Sequence, residues 1–185
     1  MTALDFLARW RVRLGYVVAV VVLVLANPTP RSIIAGAALG IIGLGIRAYA
    51  AGYLHKQEVL TKTGPYAHTR NPLYFGSSFL ALGAAVATNS VWAAALLLIY
   101  FAVVYSFVMR REELELRQKH GNAFVSYAAA VPLFFPRLLA VQNAGANGAG
   151  FSWAQYRKNH EYQAVLGYAA LLLALVLIWR LRLQV

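Results

Sequence analysis

Five apolar stretches separated by short polar breaks organise the chain, running from about Leu14 to Ala26, Ser32 to Leu54, Pro72 to Ala87, Val91 to Met109 and Ala164 to Trp179. A helix needs about 20 residues, within a range of about 17 to 25, to cross a bilayer. The pattern therefore predicts an all-α, polytopic membrane bundle of about five transmembrane helices. The first and last stretches are short, which places Trp10, Arg13, Trp179 and Arg180 at the interface or snorkelling toward it. Asn27-Pro28-Thr29-Pro30 breaks the first span from the second, and Thr88-Asn89-Ser90 closes a hairpin of the third and fourth. Gly36, Gly40 and Gly43, then Gly76, Gly83, Ala84 and Ala87, recur along the second and third spans. Small residues at that spacing let helix backbones approach closely in lipid.

Composition agrees with that reading. The chain is 61% hydrophobic and 12% charged, too little charge to cover a soluble globule. Cysteine is absent, which excludes a disulfide framework, a thiol nucleophile and Cys-ligated metal; no metal site is expected. The net charge of +11 is not a nucleic-acid signature, because the basic residues sit at the ends of apolar runs. With a cytoplasmic N-terminus, thirteen basic residues fall inside, against Arg31, Arg180 and Arg182 outside, with Arg47 within the second span. That bias, with all five acids after Asp5 on the same side, puts the polar blocks at the cytoplasmic face of a prokaryotic inner or plasma membrane. Arg9, Arg11 and Arg13 precede an apolar run ending in Val24-Leu25-Ala26, the layout of a signal peptide. The stretch is read here as a retained first span.

Two blocks carry the candidate chemistry: Gly64-Pro65-Tyr66 with Arg70-Asn71-Pro72-Leu73-Tyr74, and Glu112-Glu113 after the hairpin. Pro65 and Pro72 make His55–Asn71 an irregular loop and suit Pro72 to start a helix. The hairpin returns the glutamates to the face from which Tyr74 departs. Neighbouring helical positions point about 100° apart, so one glutamate can pair with Arg110 or Arg111 and the other can face Arg70. Arg47, after a long uncharged run, is costly in lipid unless it is paired, snorkels or faces water. The reading preferred here turns it to the bundle interior, toward a carboxylate of the protein or a ligand. Gly43-Leu44-Gly45 lies inside an apolar helix with no preceding strand, so it is not a nucleotide-binding loop.

These blocks, with Gly45-Ile46-Arg47-Ala48, Gly52-Tyr53-Leu54, Gly121, Phe124, Tyr127, Val131-Pro132 and Pro136, resemble the membrane methyltransferase superfamily. That superfamily includes isoprenylcysteine carboxyl methyltransferases and phospholipid N-methyltransferases, and the likeness covers about residues 40 to 137. The resemblance implies S-adenosylmethionine as methyl donor, S-adenosylhomocysteine as product and a cytosol-facing cofactor pocket. It implies cofactor binding by Leu60, Gly64, Pro65, Tyr66, Arg70, Asn71, Pro72, Tyr74, Glu112 and Glu113. Arg70, Asn71, Glu113 and Arg47 are the expected catalytic set. An Arg suits the cofactor carboxylate, a carboxylate its ammonium and hydroxyls, and an aromatic slot its adenine.

The family often has His where this chain has Asn71. The acceptor is expected to be a lipophilic small molecule or lipid entering from the bilayer, with carboxyl O-methylation ahead of lipid-amine N-methylation or thiol S-methylation. An amine or thiol must shed a proton, for which His55, His68 or His120 is available only if the fold brings it close. Two other classes stay open: an NADPH-dependent reductase resembling the membrane sterol reductases, and a non-enzymatic membrane scaffold. The chain is divided into a core of residues 1–140, a flexible Gly/Ala/Asn-rich linker at 141–150, and a C-terminal segment at 151–185. That segment has an aromatic, basic start and a last apolar helix, and either walls the acceptor's entrance or mediates oligomerisation. An amphipathic interfacial helix is expected near Phe124 and Tyr127.

Overall fold

The computed structural model describes residues 3–55, 59–141 and 150–184, with side chains described from residue 13 onward. The linker at 142–149, Lys56 and the side chains of Arg9, Trp10 and Arg11 thus lie outside the described residues. All regular structure within them is helical: α1 (Ala3–Leu25), α2 (Pro30–Tyr53), α3 (Pro72–Thr88), α4 (Val91–His120), α5 (Asn122–Ala130), α6 (Trp153–Lys158) and α7 (Tyr162–Arg182), with a 3-10 turn at Gly64–Ala67.

The breaks act through local chemistry. Thr29 caps α2 with a reciprocal capping box, Ser32 N donating to Thr29 Oγ1 at 3.1 Å and Thr29 N to Ser32 Oγ at 3.0 Å, and Pro30 stands in the first turn. Asn89 takes the left-handed conformation, φ 49°, that ends α3, and Ser90 caps α4. α4 runs eleven residues past the apolar stretch ending at Met109. Residues 110–120 contain strong helix formers, an Arg111–Glu115 pair at 2.9 Å and no breaker before Gly121. Glu112 and Glu113 therefore lie within α4 and not at its end.

α2, α4 and α7 are long and apolar enough to cross a membrane; the apolar part of α1, Arg13–Leu25, and α3 are shorter. Side chains such as Val91, Trp92, Ile99 and Leu173 are exposed along these helices, an apolar surface suited to lipid and not to water. At one end of the bundle the turns meet: Asn27 N donates to Thr88 O at 2.8 Å, and Arg182 Nη1 to Asn27 Oδ1 at 2.9 Å. The polar blocks gather at the other end.

The centre of the bundle is the α2–α3 seam. A Cβ on Gly36 would lie 2.4 Å from Gly83 O, and one on Gly43 would lie 2.7 Å from Gly76 O. α7 locks into the same seam through Tyr168. Its ring fills the space over Gly40, where a Cβ would come within 2.0 Å of it, and its hydroxyl donates to Gly36 O at 2.8 Å. The C-terminal segment also finishes α2. Asn159 Nδ2 donates to Ala51 O at 2.8 Å and Leu54 O at 2.9 Å, Ser152 N donates to Gly52 O at 3.0 Å, and Phe151 packs onto Gly52. These are the carbonyls that a helix leaves unpaired at its C-terminus.

Gly36→Ala should cost about 1–3 kcal/mol, because backbone and not a flexible side chain must move. Gly45→Ala, with nothing within 4 Å of the new methyl, should be neutral or mildly stabilising. Thermal unfolding in detergent checks the pair, and equal losses would mean that the seam is not close-packed.

Candidate functional site

At the end of the bundle opposite the hairpin turn, His55, the loop of residues 59–71, α4, α5 and the α6–α7 junction enclose a cavity of about 780 Å³. Its floor is the start of α3. Pro72 opens that helix, and Asn71 before it is buried, its Nδ2 donating to Leu133 O at 3.0 Å. A strap following α5 holds the loop in place. Arg70 N donates to Pro132 O at 2.9 Å, Thr69 Oγ1 to Phe134 O at 2.9 Å, and Arg137 N to His68 O at 3.0 Å. α5 is the helix expected near Phe124 and Tyr127. Both of those residues are buried against Val131, with Leu60 packed on the cluster.

Two ion pairs face the cavity. Arg70 reaches across from the loop: Nη1 donates to Ala128 O at 3.0 Å, and Nη2 lies 2.7 Å from Glu113 Oε1. That approach is close but off-line, so Glu113 Oε1 is buried without a hydrogen bond, as are Arg70 Nε and the Tyr66 hydroxyl among the described residues. The other pair joins α2 to the C-terminal segment, Arg47 Nε donating to Glu161 Oε1 at 2.5 Å. Arg47 Nη1 also donates to Ser77 Oγ and, at 3.4 Å, to Leu73 O. The arginine passes α3 because position 76 is glycine: a Cβ there would lie 2.6 Å from Arg47 Cγ.

Glu112 and Glu113 both turn to the loop, Glu112 Oε1 accepting from Tyr74 at 2.5 Å. Arg111 pairs locally with Glu115 and not with Glu112 or Glu113. One turn further along α4 is the position that faces Arg111. Arg47, Leu60, Tyr66, Arg70, Asn71, Pro72, Tyr74, Glu112 and Glu113 all line the cavity. Gly64 and Pro65 do not; they form the 3-10 turn, with Gly64 at φ +58° against the Tyr53 ring. His55 and His120 line the cavity, whereas His68 turns its Nδ1 to Arg137 O at 2.8 Å.

Sequence reasoning missed Glu161, Asn159, His160 and Gln163, which close one wall from the C-terminal segment. A signal was present: Glu161 is the one acid after residue 115, and a lone carboxylate beside an apolar run is the expected partner for a lone arginine inside another span.

Burial pushes the Tyr66 phenol well above its usual range, helped by Tyr127 and by the nearby Glu112 and Glu161 charges. Burial likewise raises Tyr127, against the opposing pull of Arg70. Tyr127 donates its hydroxyl to Tyr66 O at 2.7 Å.

The family model for phospholipid methyltransferase matches residues 14–123, well over half of the chain. The chain belongs to the phospholipid methyltransferase family. The match spans the hairpin and both polar blocks but stops before α6 and α7. Among curated proteins, the chain is similar to the nickel-cobalt-cadmium resistance protein NccN of Alcaligenes xylosoxydans xylosoxydans. The two are 34% identical over 146 residues, which cover 72% of this chain and 68% of that protein. The chain is also similar to the cobalt-zinc-cadmium resistance protein CzcN of Cupriavidus metallidurans, 35% identical over 106 residues, covering 54% of this chain and 49% of that one. No solved structure gives a significant match. Family membership and the apolar helices together make this an integral membrane protein of the phospholipid methyltransferase type.

Both raised phenols keep their protons in the fold at a pH where the unfolded chain loses them. The linked stability is complete below pH 10, the ordinary value for a tyrosine phenol, and is lost as pH rises through the folded-state values. Tyr127→Phe should flatten that decline. At neutral pH it should cost about 1–3 kcal/mol for the abandoned Tyr66 carbonyl, read as unfolding midpoints across an alkaline pH series.

Proposed function

We propose that this protein transfers a methyl group from S-adenosylmethionine to a lipophilic acceptor, with its site at the cytoplasmic face of a bacterial inner membrane. The observation that carries this reading is a set of buried polar atoms around one cavity that have no hydrogen bond among the described residues: Tyr66 Oη, Arg70 Nε and Glu113 Oε1, the last held only by its ion pair with Arg70 Nη2. Buried polar groups are rarely orphaned, and three beside one cavity are the complement of a polar ligand. The donor set suits S-adenosylmethionine. Arg70 offers a charged donor to its carboxylate, Glu113 and Glu112 offer acceptors to its ammonium and hydroxyls, and the aromatic rings of Phe124 and Tyr127 offer a slot to its adenine. The orientation is supported by the thirteen-to-three distribution of basic residues, which favours a cytoplasmic site.

When bound, such a cofactor supplies an electrophilic sulfonium methyl group. The protein's part is to align and to exclude water. The strap from Ala128 to Val141, hydrogen-bonded to Ala67, His68, Thr69 and Arg70, holds the loop closed over the cavity. Asn71, fixed to Leu133 O, holds the start of α3 beneath it. Carboxyl O-methylation needs no base, whereas amine or thiol methylation does. A part in tolerance of the metals in the relatives' names would come through such methylation. Among the described residues, no three of His, Cys, Asp and Glu are grouped to hold a metal ion.

Calorimetric titration of the purified protein in detergent with S-adenosylhomocysteine, with NADPH alongside, tests the reading. Binding of the first alone is expected; binding of NADPH alone would move the chain to the reductase reading, and binding of neither to the scaffold reading. Arg70→Ala and Glu113→Gln should each weaken S-adenosylhomocysteine at least about tenfold, or about 1.4 kcal/mol. Glu115→Gln, which alters a solvated pair with Arg111, should leave it within about twofold. Equal losses at all three positions would mean that the cofactor lies elsewhere.

A further inference from the structure

The cavity has two ends at different depths. Glu115, Lys119 and His120, at one end, belong to the part of α4 beyond its apolar stretch. At the other end Arg47 stands six residues before the end of α2, and its partner Ser77 five residues into α3. At 1.5 Å per residue these are about 9 Å and about 7.5 Å inside the bundle. The deep end is therefore the part that a molecule arriving from the bilayer meets, and the shallow end the part that a water-soluble one meets. α4 and α7 both line the cavity while each packs on α3, without extensive contact with each other.

Three features of the deep end point to a ligand. The Arg47 cation is already engaged by Glu161, Ser77 and Leu73 O, so it is not waiting for an anion. Glu161 is buried, and only its Oε1 carries a hydrogen bond among the described residues, which leaves the second oxygen on the cavity wall as an unused acceptor. The Tyr66 hydroxyl, buried and without a hydrogen bond among the described residues, belongs to a residue that lines the same cavity as Glu112 and Glu161. An acceptor open to the cavity and a buried, unfilled donor on the same wall fit one polar group better than an empty space.

We propose that the deep end is the seat of the acceptor's polar head, with Glu161 accepting a hydrogen bond from an N–H or S–H of that head and the Tyr66 hydroxyl completing its contacts. This inference rests on the methyltransferase reading and deepens it. It assigns a binding role to a residue outside the matched family region, residues 14–123, and so to the C-terminal segment. It also selects among acceptors. A carboxylate head would meet the Glu161 charge beside an Arg47 already committed to Glu161, Ser77 and Leu73 O, a like-charge contact in a site shielded from water. An ammonium or thiol head meets a carboxylate oxygen that can accept its hydrogen bond.

The test uses the full chain in detergent, saturated with S-adenosylhomocysteine, titrated with dodecylamine, dodecanethiol or dodecanoate, and read by calorimetry and by the unfolding midpoint. Dodecylamine or dodecanethiol should bind and dodecanoate should not, the first two arms separating N–H from S–H. Glu161→Gln should weaken the probe that binds by at least about tenfold while S-adenosylhomocysteine stays within about threefold. Tyr66→Phe removes a hydroxyl that makes no hydrogen bond among the described residues, so it should fold normally and weaken the same probe about fivefold or more. It serves as the test if Glu161→Gln does not fold. Preferential binding of dodecanoate, binding of no probe, or unchanged probe affinity in the variants would overturn the proposal. So would a loss of S-adenosylhomocysteine binding in Glu161→Gln as large as that in Arg70→Ala. Failure of the wild type to bind S-adenosylhomocysteine would sink the methyltransferase reading itself, a result distinguishable from all of these.

Discussion

The backbones of α2 and α3 touch, and the rest of the molecule depends on that contact. In lipid no hydrophobic force presses helices together, so close approach through small residues has to supply the packing. Gly36 against Gly83 and Gly43 against Gly76 provide it. The contact leaves a notch that the Tyr168 ring fills, which docks α7. The bare surface at Gly76 is also the gap through which Arg47 crosses α3. A side chain at that position would block the arginine, and with it the pair that ties the C-terminal segment to the cavity.

Around that seam, the two arginines that face the cavity are each paired with a carboxylate. A buried ion pair contributes little net stability, yet losing one partner leaves an uncompensated charge. Arg47–Glu161 and Arg70–Glu113 both join elements distant in sequence, one to the C-terminal segment and the other across the hairpin. The cavity is therefore closed by interactions that also position its chemistry. The carbonyls at the end of α2 follow the same logic, since their partners Asn159 and Ser152 come from the segment that supplies Glu161. Residues 150–164 thus complete a helix and wall a cavity, and Asn159 takes part in both.

Much of the candidate site was legible in the chain because it is local. Gly64 to Tyr74 is one continuous stretch, and a hairpin of known length had to return Glu112 and Glu113 to it. Arg47 was legible as a problem, a charge in a span that needed a carboxylate, but not as a solution. Its partner lies 114 residues away, and no periodicity links the two. The different partners of Glu112 and Glu113 were expected from the 100° between neighbouring positions. Which partners they took depended on how far α4 ran past its apolar part, and hydropathy does not report helix length beyond the membrane.

By itself, the sequence determined the number and order of the apolar helices, the turns between them and the small-residue faces, because these follow from hydropathy, capping and side-chain volume at neighbouring positions. It also determined that a loop rich in proline, arginine and tyrosine would face a pair of glutamates. Only the tertiary structure decided that Arg47 meets Glu161, that the Tyr66 hydroxyl is buried without a hydrogen bond among the described residues, and that Gly64 and Pro65 shape the loop without lining the cavity. Those outcomes depend on how α7 and the strap after α5 settle against α2 and the loop. That settling is set by packing among residues far apart in the chain, which no local pattern encodes.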